Sequence, residues 1–147
     1  MSSYTYDEIA LGQSASVTKT ISEYDIYAFA GVTGDFNPAH VNAPYAEGTS
    51  FKTRIAHGML TASFVSAVLG MHLPGTGTIL ISNTANFLAP VHMGDTITAT
   101  AEVVEKLEKG RIRLKTTVTD QNGAVVLSGE SLVSAPRAQK RQGGRTQ

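Results

Sequence analysis

HGMLTASFVSAVLG, residues 57–70, is the longest nearly apolar stretch of this 147-residue chain. Its apolar side chains occupy almost every side of a helical projection, which predicts a helix buried all round. Residues 58–70 would make about 20 Å of helix, and the Pro74-Gly75 pair then predicts a turn. The stretch is too short to cross a bilayer. We therefore expect one central helix that the rest of the domain must cover.

The second half of the chain predicts a set of strands that would cover this helix. Apolar and polar residues alternate along 96–103 and 111–119, a period of two that indicates strands with one wet face. Lys109-Gly110 and Asn122-Gly123 are typical of hairpin turns. The expected strands are 15–21, 78–87, 96–103, 111–119 and 124–135. The fold class that follows is α+β, an antiparallel sheet wrapped around a long central apolar helix.

Two shorter helices are expected before the central one. Ser22, with Asp25 three residues later, predicts a capped helix start, and Gly34 predicts its end. Asn42-Ala43-Pro44 predicts the start of a short second helix, because proline is favoured in the first turn. Gly48 is expected to end it.

A dense polar cluster, GDFNPAH at residues 34–40, lies between these two helices. Asp35 and His40 are suited to proton transfer, and Pro38 disfavours helical geometry at Asn37. The alternative is that Asp35 and Asn37 form turns while His40 is a partly buried polar residue. Spacing alone leaves both interpretations open. The position in a loop directly after a helix end favours a functional role.

The apolar stretch contains further positions of interest. The start of the helix at His57-Gly58 would present free N–H groups to an oxyanion, or Gly58 would merely ease packing. Ser66, in mid-helix, would ordinarily bond back to a carbonyl of the preceding turn. Met59 and Phe64 are assigned to the core.

The sequence lacks the motifs that are typical of several other classes of site. The chain has no Cys, and its four His residues have no metal-binding spacing, so we expect neither a disulfide nor a metal site. Gly75-Thr76-Gly77 lacks the third glycine of a dinucleotide fingerprint. No Gly-x-Ser-x-Gly elbow indicates an acyl-serine hydrolase. Asp95 is interpreted as a turn residue before a strand.

Charge is unevenly distributed although the formal net charge is zero. Four of the twelve basic residues and no acidic residue fall in 137–147, which leaves eight basic against twelve acidic residues in 1–136. We expect 1–136 to be one domain and 137–147 a basic, flexible tail. The acidic body argues against a nucleic-acid partner. Residues 1–7 do not resemble a signal peptide, and with the lack of Cys this predicts a cytoplasmic protein.

Three segments together resemble the MaoC-like (R)-specific enoyl-CoA hydratases. They are GDFNPAH at 34–40, IAHGML at 55–60 and FLAPVHMGD at 87–95. The resemblance covers roughly residues 8–136, and its Asp-x-Asn-Pro-x-His motif is quite specific. It implies a hot-dog domain that hydrates trans-2-enoyl-CoA, of short chain such as crotonyl-CoA, to (R)-3-hydroxyacyl-CoA. A hot-dog thioesterase and a non-catalytic acyl-CoA-binding subunit are the alternatives.

The resemblance also implies roles for individual residues. Asp35 and His40 would be the catalytic dyad, and the Gly58 N–H would bind the thioester carbonyl. Substrate contacts are expected from Asn37 in the supporting loop, His57 at the helix start, and Ser66 with Leu69 along the acyl pocket. No cofactor is expected, because coenzyme A is part of the substrate. A homodimer or higher homo-oligomer is expected, with sheets joined edge to edge, and no membrane partner.

Overall fold

A computed structural model of the protein describes residues 3–136, so the basic segment 137–147 lies outside the described residues. One strand and four helices occupy the first half of the chain, and four strands complete it. The elements are β1 Ser14–Thr20, α1 Glu23–Thr33, α2 Pro38–Val41, α3 Ala43–Glu47, α4 Gly58–Met71, β2 Ile79–Phe87, β3 Thr96–Leu107, β4 Arg111–Thr119 and β5 Val125–Ser134. Single turns of 3₁₀ helix occur at Tyr6–Glu8 and Glu108–Gly110.

The five strands form one antiparallel sheet in the order β1-β3-β4-β5-β2. The predicted alternation decides which face each residue takes. On β4, Ile112, Leu114 and Val118 are buried in the core, while Arg111 and Lys115 lie on the opposite, wet face. Because that core also contains the buried side of α4, the α+β class with a sheet around a central helix is confirmed.

The central helix α4 is only half buried in the chain by itself, so the prediction of burial all round is wrong. Leu60, Val65 and Val68 pack in the core, whereas Ser66 is exposed and Met59 is 63 % exposed. The sheet covers one side of the helix and leaves the other facing an open groove. Met59 therefore does not belong to the core, whereas Phe64 packs against the core. No helix within residues 3–136 is long and apolar enough to span a membrane.

Strand β2 forms an edge of the sheet and is almost wholly exposed. It pairs with β5, where Gly129 lies opposite Ala85. A Cβ atom at Gly129 would lie 1.9 Å from the backbone oxygen of Thr84. Only glycine therefore fits this position, and the absence of a side chain lets the edge strand approach closely enough to pair.

The first helix has the predicted ends. Ser22 and Asp25 form a capping box, and Gly34 adopts the left-handed conformation with φ of 78°. The short helix α3 also begins and ends as expected. The turn α2 was not predicted, because Pro38 was expected to keep the polar cluster from forming a helix. Pro38 instead occupies the first turn, where its missing N–H costs nothing.

Candidate active site

The polar cluster is held by its own backbone and side chains. Asp35 Oδ1 accepts a hydrogen bond from the Asn37 amide at 3.2 Å. Asn37 Oδ1 then accepts from the Ala39 amide at 3.1 Å and caps α2. The turn-forming interpretation is therefore correct for both residues, and it does not exclude a chemical role. The same bonds fix where the Asp35 carboxylate and the His40 ring stand.

His40 is anchored through one ring nitrogen. Its Nδ1 lies 2.8 Å from the carbonyl oxygen of Ile55. A carbonyl can only accept a hydrogen bond, so Nδ1 carries the proton and Nε2 holds the lone pair of the neutral ring. Ile55 in turn donates its amide to the Ala39 carbonyl at 3.2 Å, which closes the loop around the ring.

His57 is almost completely buried, at 2 % exposure. Its Nε2 lies 3.0 Å from the Asp35 carbonyl oxygen, so Nε2–H donates there. The ring stacks on His40 with centroids 3.9 Å apart and planes inclined by 29°, and Phe29 packs on it at 4.9 Å. Its Nδ1 is buried and has no hydrogen-bond partner among residues 3–136. In this structure the ring of His57 contacts the candidate dyad.

The three side chains converge. One carboxylate oxygen of Asp35 and one nitrogen each of His40 and His57 all lie within 4.8 Å of one another. Asp35 and His40 are not directly bonded, and their separation suits a water molecule that bonds to both. A cation could reach these atoms by distance. The stacked rings of His40 and His57 are poorly oriented to bind a cation, however, because the nitrogen lone pairs of two stacked rings do not point toward one common centre.

The start of α4 lies beside this cluster. The first N–H groups of a helix have no acceptor within it, and His57, the N-cap residue, provides no side-chain cap because its ring is turned to Asp35. Gly58 is exposed, and a Cβ atom there would lie 3.0 Å from the Phe87 ring. Free backbone donors therefore face open space next to the dyad.

A cavity of about 410 Å³ runs between α4 and β2, and we call it the α4–β2 cavity. Residues that line it include Phe29, Met59, Ser66, Leu69, Leu80 and Asn83. The Phe29 ring also packs on His57, so the cavity begins at the polar cluster. Ser66 and Leu69, which the resemblance predicts along an acyl pocket, both line this cavity.

Ser66 does not bond back to its own helix, contrary to the interpretation from sequence alone. No hydrogen bond of its hydroxyl is found within the part of the chain that the structure describes, whereas Ser63 Oγ donates to the Leu60 carbonyl at 2.6 Å. The sequence analysis missed Phe29 and Asn83 as lining residues. Phe29 carried a signal, because it shares a face of α1 with the buried Ile26. Asn83 is the polar member of the alternating series Ile79, Ile81, Asn83, Ala85 and Phe87 along β2.

Arg54 supports the segment before α4. Its guanidinium bonds to the Glu23 carboxylate and donates to the Tyr27 hydroxyl at 3.1 Å. The hydrogen bond to Glu23 raises the pKa of Arg54 against the opposing effect of its burial. These contacts tie the segment that carries Ile55 and His57 to α1. Nothing in the sequence pattern pointed to this ion pair, because its members are 31 residues apart.

Comparison with known proteins places the chain in a family. Residues 8–125 match the model of the MaoC like domain. The chain is 54 % identical over 132 residues to the (R)-specific enoyl-CoA hydratase of Rhodospirillum rubrum, covering 89 % of this chain and 91 % of that protein. It is 43 % identical over 136 residues to the 3-hydroxybutyryl-CoA dehydratase of Methylorubrum extorquens, covering 92 % and 86 % respectively.

A solved structure shows the same architecture. The unliganded R-hydratase of Pseudomonas aeruginosa superposes with a TM-score of 0.90 at 45 % identity, covering 92 % of this chain and 88 % of that one. The chain therefore belongs to the MaoC-like family and has its hot-dog fold.

Proposed function

We propose that the protein is an (R)-specific enoyl-CoA hydratase, a hydro-lyase that interconverts trans-2-enoyl-CoA and (R)-3-hydroxyacyl-CoA. One observation carries this proposal. Asp35 and His40 lie within 4.8 Å of each other, beside the free amides of α4 and at the start of an apolar cavity. Two of the relatives reported above are named for this hydration or its reverse.

The first requirement of hydration is a water molecule that loses a proton as it attacks the β-carbon. Asp35 and His40 would hold that water between a carboxylate oxygen and the free Nε2 of His40. The same pair would return a proton to the α-carbon, so both additions occur on one face of the double bond. General acid–base groups of this kind contribute about 10²–10⁴-fold to rate.

The second requirement is stabilisation of the negative charge that develops on the thioester oxygen. The Gly58 N–H at the start of α4 is the proposed donor, because it is exposed and has no acceptor within the helix. The positive end of the helix dipole adds to the effect. Loss of one such donor typically costs about 10²–10³-fold. The addition of water involves no net oxidation or reduction, so the proposed reaction requires no redox group. The Gly58 N–H is the proposed stabiliser of the developing charge, so the proposal requires no metal either.

The substrate's acyl chain would lie in the α4–β2 cavity. Ser66 and Leu69 follow Gly58 by two and three turns of α4, and Leu80 faces them from β2. A chain that starts at Gly58 would therefore run along the helix toward Leu69. The modest length of this cavity favours short acyl groups such as crotonyl. We also propose a cytoplasmic location, because acyl-CoA thioesters are made and consumed there.

We propose a homodimer in which β2 pairs with another copy. This strand is a sheet edge with unpaired backbone groups, and Ile79, Leu80 and Ile81 are exposed on it. Edge strands of this kind pair readily. Association along β2 would also bring protein over the open side of α4. Sedimentation at micromolar concentration should give a dimer or larger species, and a strictly monomeric profile would contradict the proposal.

Hydration of crotonyl-CoA, followed by loss of enoyl absorbance, tests the function. We expect rapid loss of absorbance, an (R)-3-hydroxybutyryl-CoA product on chiral analysis, and no signal from a thiol-trapping dye. Release of free thiol would instead indicate a hot-dog thioesterase. Stoichiometric binding without turnover would indicate a non-catalytic acyl-CoA-binding subunit. A series of enoyl-CoA chain lengths in the same assay measures the acyl preference.

A further inference from the structure

The β2 wall of the α4–β2 cavity carries an amide whose acceptor oxygen is already engaged. Ser131 on β5 is completely buried, at 0 % exposure, and its Oγ donates to Asn83 Oδ1 at 2.7 Å. The two residues lie directly opposite each other in the antiparallel pair. A buried hydroxyl left without a partner would be costly, so Ser131 holds the Asn83 amide in this orientation.

Two further polar groups that line the cavity have no hydrogen-bond partner among residues 3–136, whereas the hydroxyl of Ser63, which also lines it, donates to the Leu60 carbonyl. With Oδ1 turned to Ser131, Asn83 has its Nδ2 donors left over, and no bond from them is found among the described residues 3–136. Ser66 lines the cavity from α4, and its hydroxyl is likewise free within that range. The cavity therefore has a donor on the strand side and a donor–acceptor on the helix side, between apolar walls formed by residues such as Leu69 and Leu80.

We infer that this pair selects 2-enoyl-CoA substrates that carry a neutral oxygen, a hydroxyl or a carbonyl, toward the far end of the acyl chain. The inference rests on the proposed function and concerns the substrate of the same site. Asn83 Nδ2 would donate to the distal oxygen, and Ser66 Oγ would donate to it or accept from it. A plain alkyl chain would leave these groups with only water, or displace that water without replacing its bonds.

The position of the pair sets where the oxygen would lie. Gly58 and Ser66 are eight residues apart on α4, which corresponds to about 12 Å along the helix. A hydrogen bond of about 3 Å at each end leaves roughly 6 Å for the chain. At about 1.2 Å per extended bond this is about five bonds from the thioester oxygen to the distal oxygen, which places the distal oxygen on carbon 4.

The absence of charge in the cavity argues for a neutral substituent. None of the residues that line it, within the described part of the chain, is charged. A carboxylate or an ammonium group would lose its hydration there without gaining a counter-ion. The favoured class is therefore a short enoyl thioester with a hydroxyl or oxo group on carbon 4.

Two substrates with equal numbers of heavy atoms test the inference: 4-hydroxybut-2-enoyl-CoA and pent-2-enoyl-CoA. We expect the wild-type protein to favour the hydroxylated substrate in kcat/KM by about three- to tenfold, the size of one neutral hydrogen bond. Asn83→Leu should abolish or reverse this ratio. Ser131→Ala, which leaves the amide but removes its anchor, should reduce it. Asn86→Leu is the matched control, because Asn86 bonds outward to the Ser128 carbonyl and does not line the cavity.

The ratio of the two kcat/KM values does not depend on how much of a variant is folded, because partial misfolding lowers the rates with both substrates equally. A wild-type preference for the pentenoyl substrate, or ratios equal within twofold in wild type and Asn83→Leu, would overturn the inference while crotonyl-CoA hydration still supported the proposed function. If neither these two compounds nor crotonyl-CoA is turned over, the proposed function fails. The same ratio is then measured as dissociation constants of the two compounds, with the same expected and contradicting values.

Discussion

The buried ring of His57 contacts both members of the proposed dyad, stacking on His40 at 3.9 Å and donating to the Asp35 carbonyl at 3.0 Å. The His57 side chain thus holds the backbone at Asp35 and packs on one face of the His40 ring. Because its buried side chain is turned to these two residues, we assign it a positioning role. The helix start has no side-chain cap as a result, which leaves the amides of its second and third residues, Met59 and Leu60, without an acceptor from the N-cap side chain.

His57→Phe should keep the stacking surface but remove the bond to Asp35. We expect kcat for crotonyl-CoA hydration to fall about tenfold or more with KM changed by less than twofold, because positioning affects the chemical step. His57→Gln places an amide donor near the former Nε2 and should recover part of that loss. Steady-state kinetics of both variants, with melting temperatures as a control for folding, make the comparison. Equal kcat in wild type and His57→Phe would contradict the positioning role.

Gly58→Ala should lower kcat/KM while leaving the free energy of unfolding within about 1 kcal/mol, because alanine is a good helix former. The added Cβ would meet the Phe87 ring at 3.0 Å, and that ring is exposed enough to move. Gly58→Ala combined with Phe87→Ala separates two causes. If the Cβ obstructs the thioester, activity stays low in the double variant. Full recovery there would mean that only the contact with Phe87 mattered.

Gly129→Ala should detach β2, because the new Cβ would lie 1.9 Å from a backbone oxygen that cannot rotate away. We expect loss of more than about 3 kcal/mol in the free energy of unfolding, among the largest effects of a single substitution. Gly70→Ala is the control: nothing lies within 4 Å of its Cβ position in α4, so about 0.5–1 kcal/mol should be gained. Urea unfolding measures both, and a Gly129→Ala protein as stable as wild type would show the strand pairing to be wrong.

Asp25 should make folding depend on pH in the acid range. Burial opposes the change, but hydrogen bonds from Lys19 and Ser22 prevail and lower the pKa of Asp25 below its ordinary value of 3.8. A lowered folded-state pKa adds stability above the ordinary value, and that stability is lost as the pH falls through the folded-state pKa. Asp25→Asn should therefore be less stable than wild type by about 0.5–1 kcal/mol at pH 7.

The gap between wild type and Asp25→Asn should begin to narrow below pH 3.8, the ordinary pKa, and close as the pH falls through the lowered pKa of the folded-state carboxylate. Urea unfolding at a series of pH values measures it. Asp7→Asn, which removes another exposed carboxylate from a first turn, is the control. A gap that stays constant from pH 7 to pH 3 would show that the ion pair with Lys19 contributes nothing.

Local patterns predicted most of the architecture from sequence. The alternation in β4 and the Ser22–Asp25 capping box each act within a few residues, so their outcomes follow from the adjacent sequence. The half-exposed side of α4 did not follow, because apolar periodicity reports that a face avoids water and not what covers it. The helical turn at Pro38–Val41 was missed because proline at a first helical position looks the same in sequence as a helix breaker.

The site was predictable only in part. Asp35, His40 and Gly58 are predicted from residue types and from the resemblance of their motifs, and the structure brings a carboxylate oxygen of Asp35 within 4.8 Å of a ring nitrogen of His40. The stacking of His57 on His40 joins residues 17 positions apart through tertiary packing. The bond of Ser131 to Asn83 spans 48 positions across two strands. Such contacts depend on sheet register and helix placement, which a single sequence does not specify.

The central claim is that Asp35 and His40 handle the protons of hydration. Turnover of crotonyl-CoA by Asp35→Asn and His40→Gln, measured as loss of enoyl absorbance, tests it most directly, with the exposed His72→Gln as a matched control. We predict folded variants in which kcat falls by about 10²–10⁴-fold for each dyad change, and wild-type turnover in the control. Near wild-type turnover by both dyad variants would contradict the account.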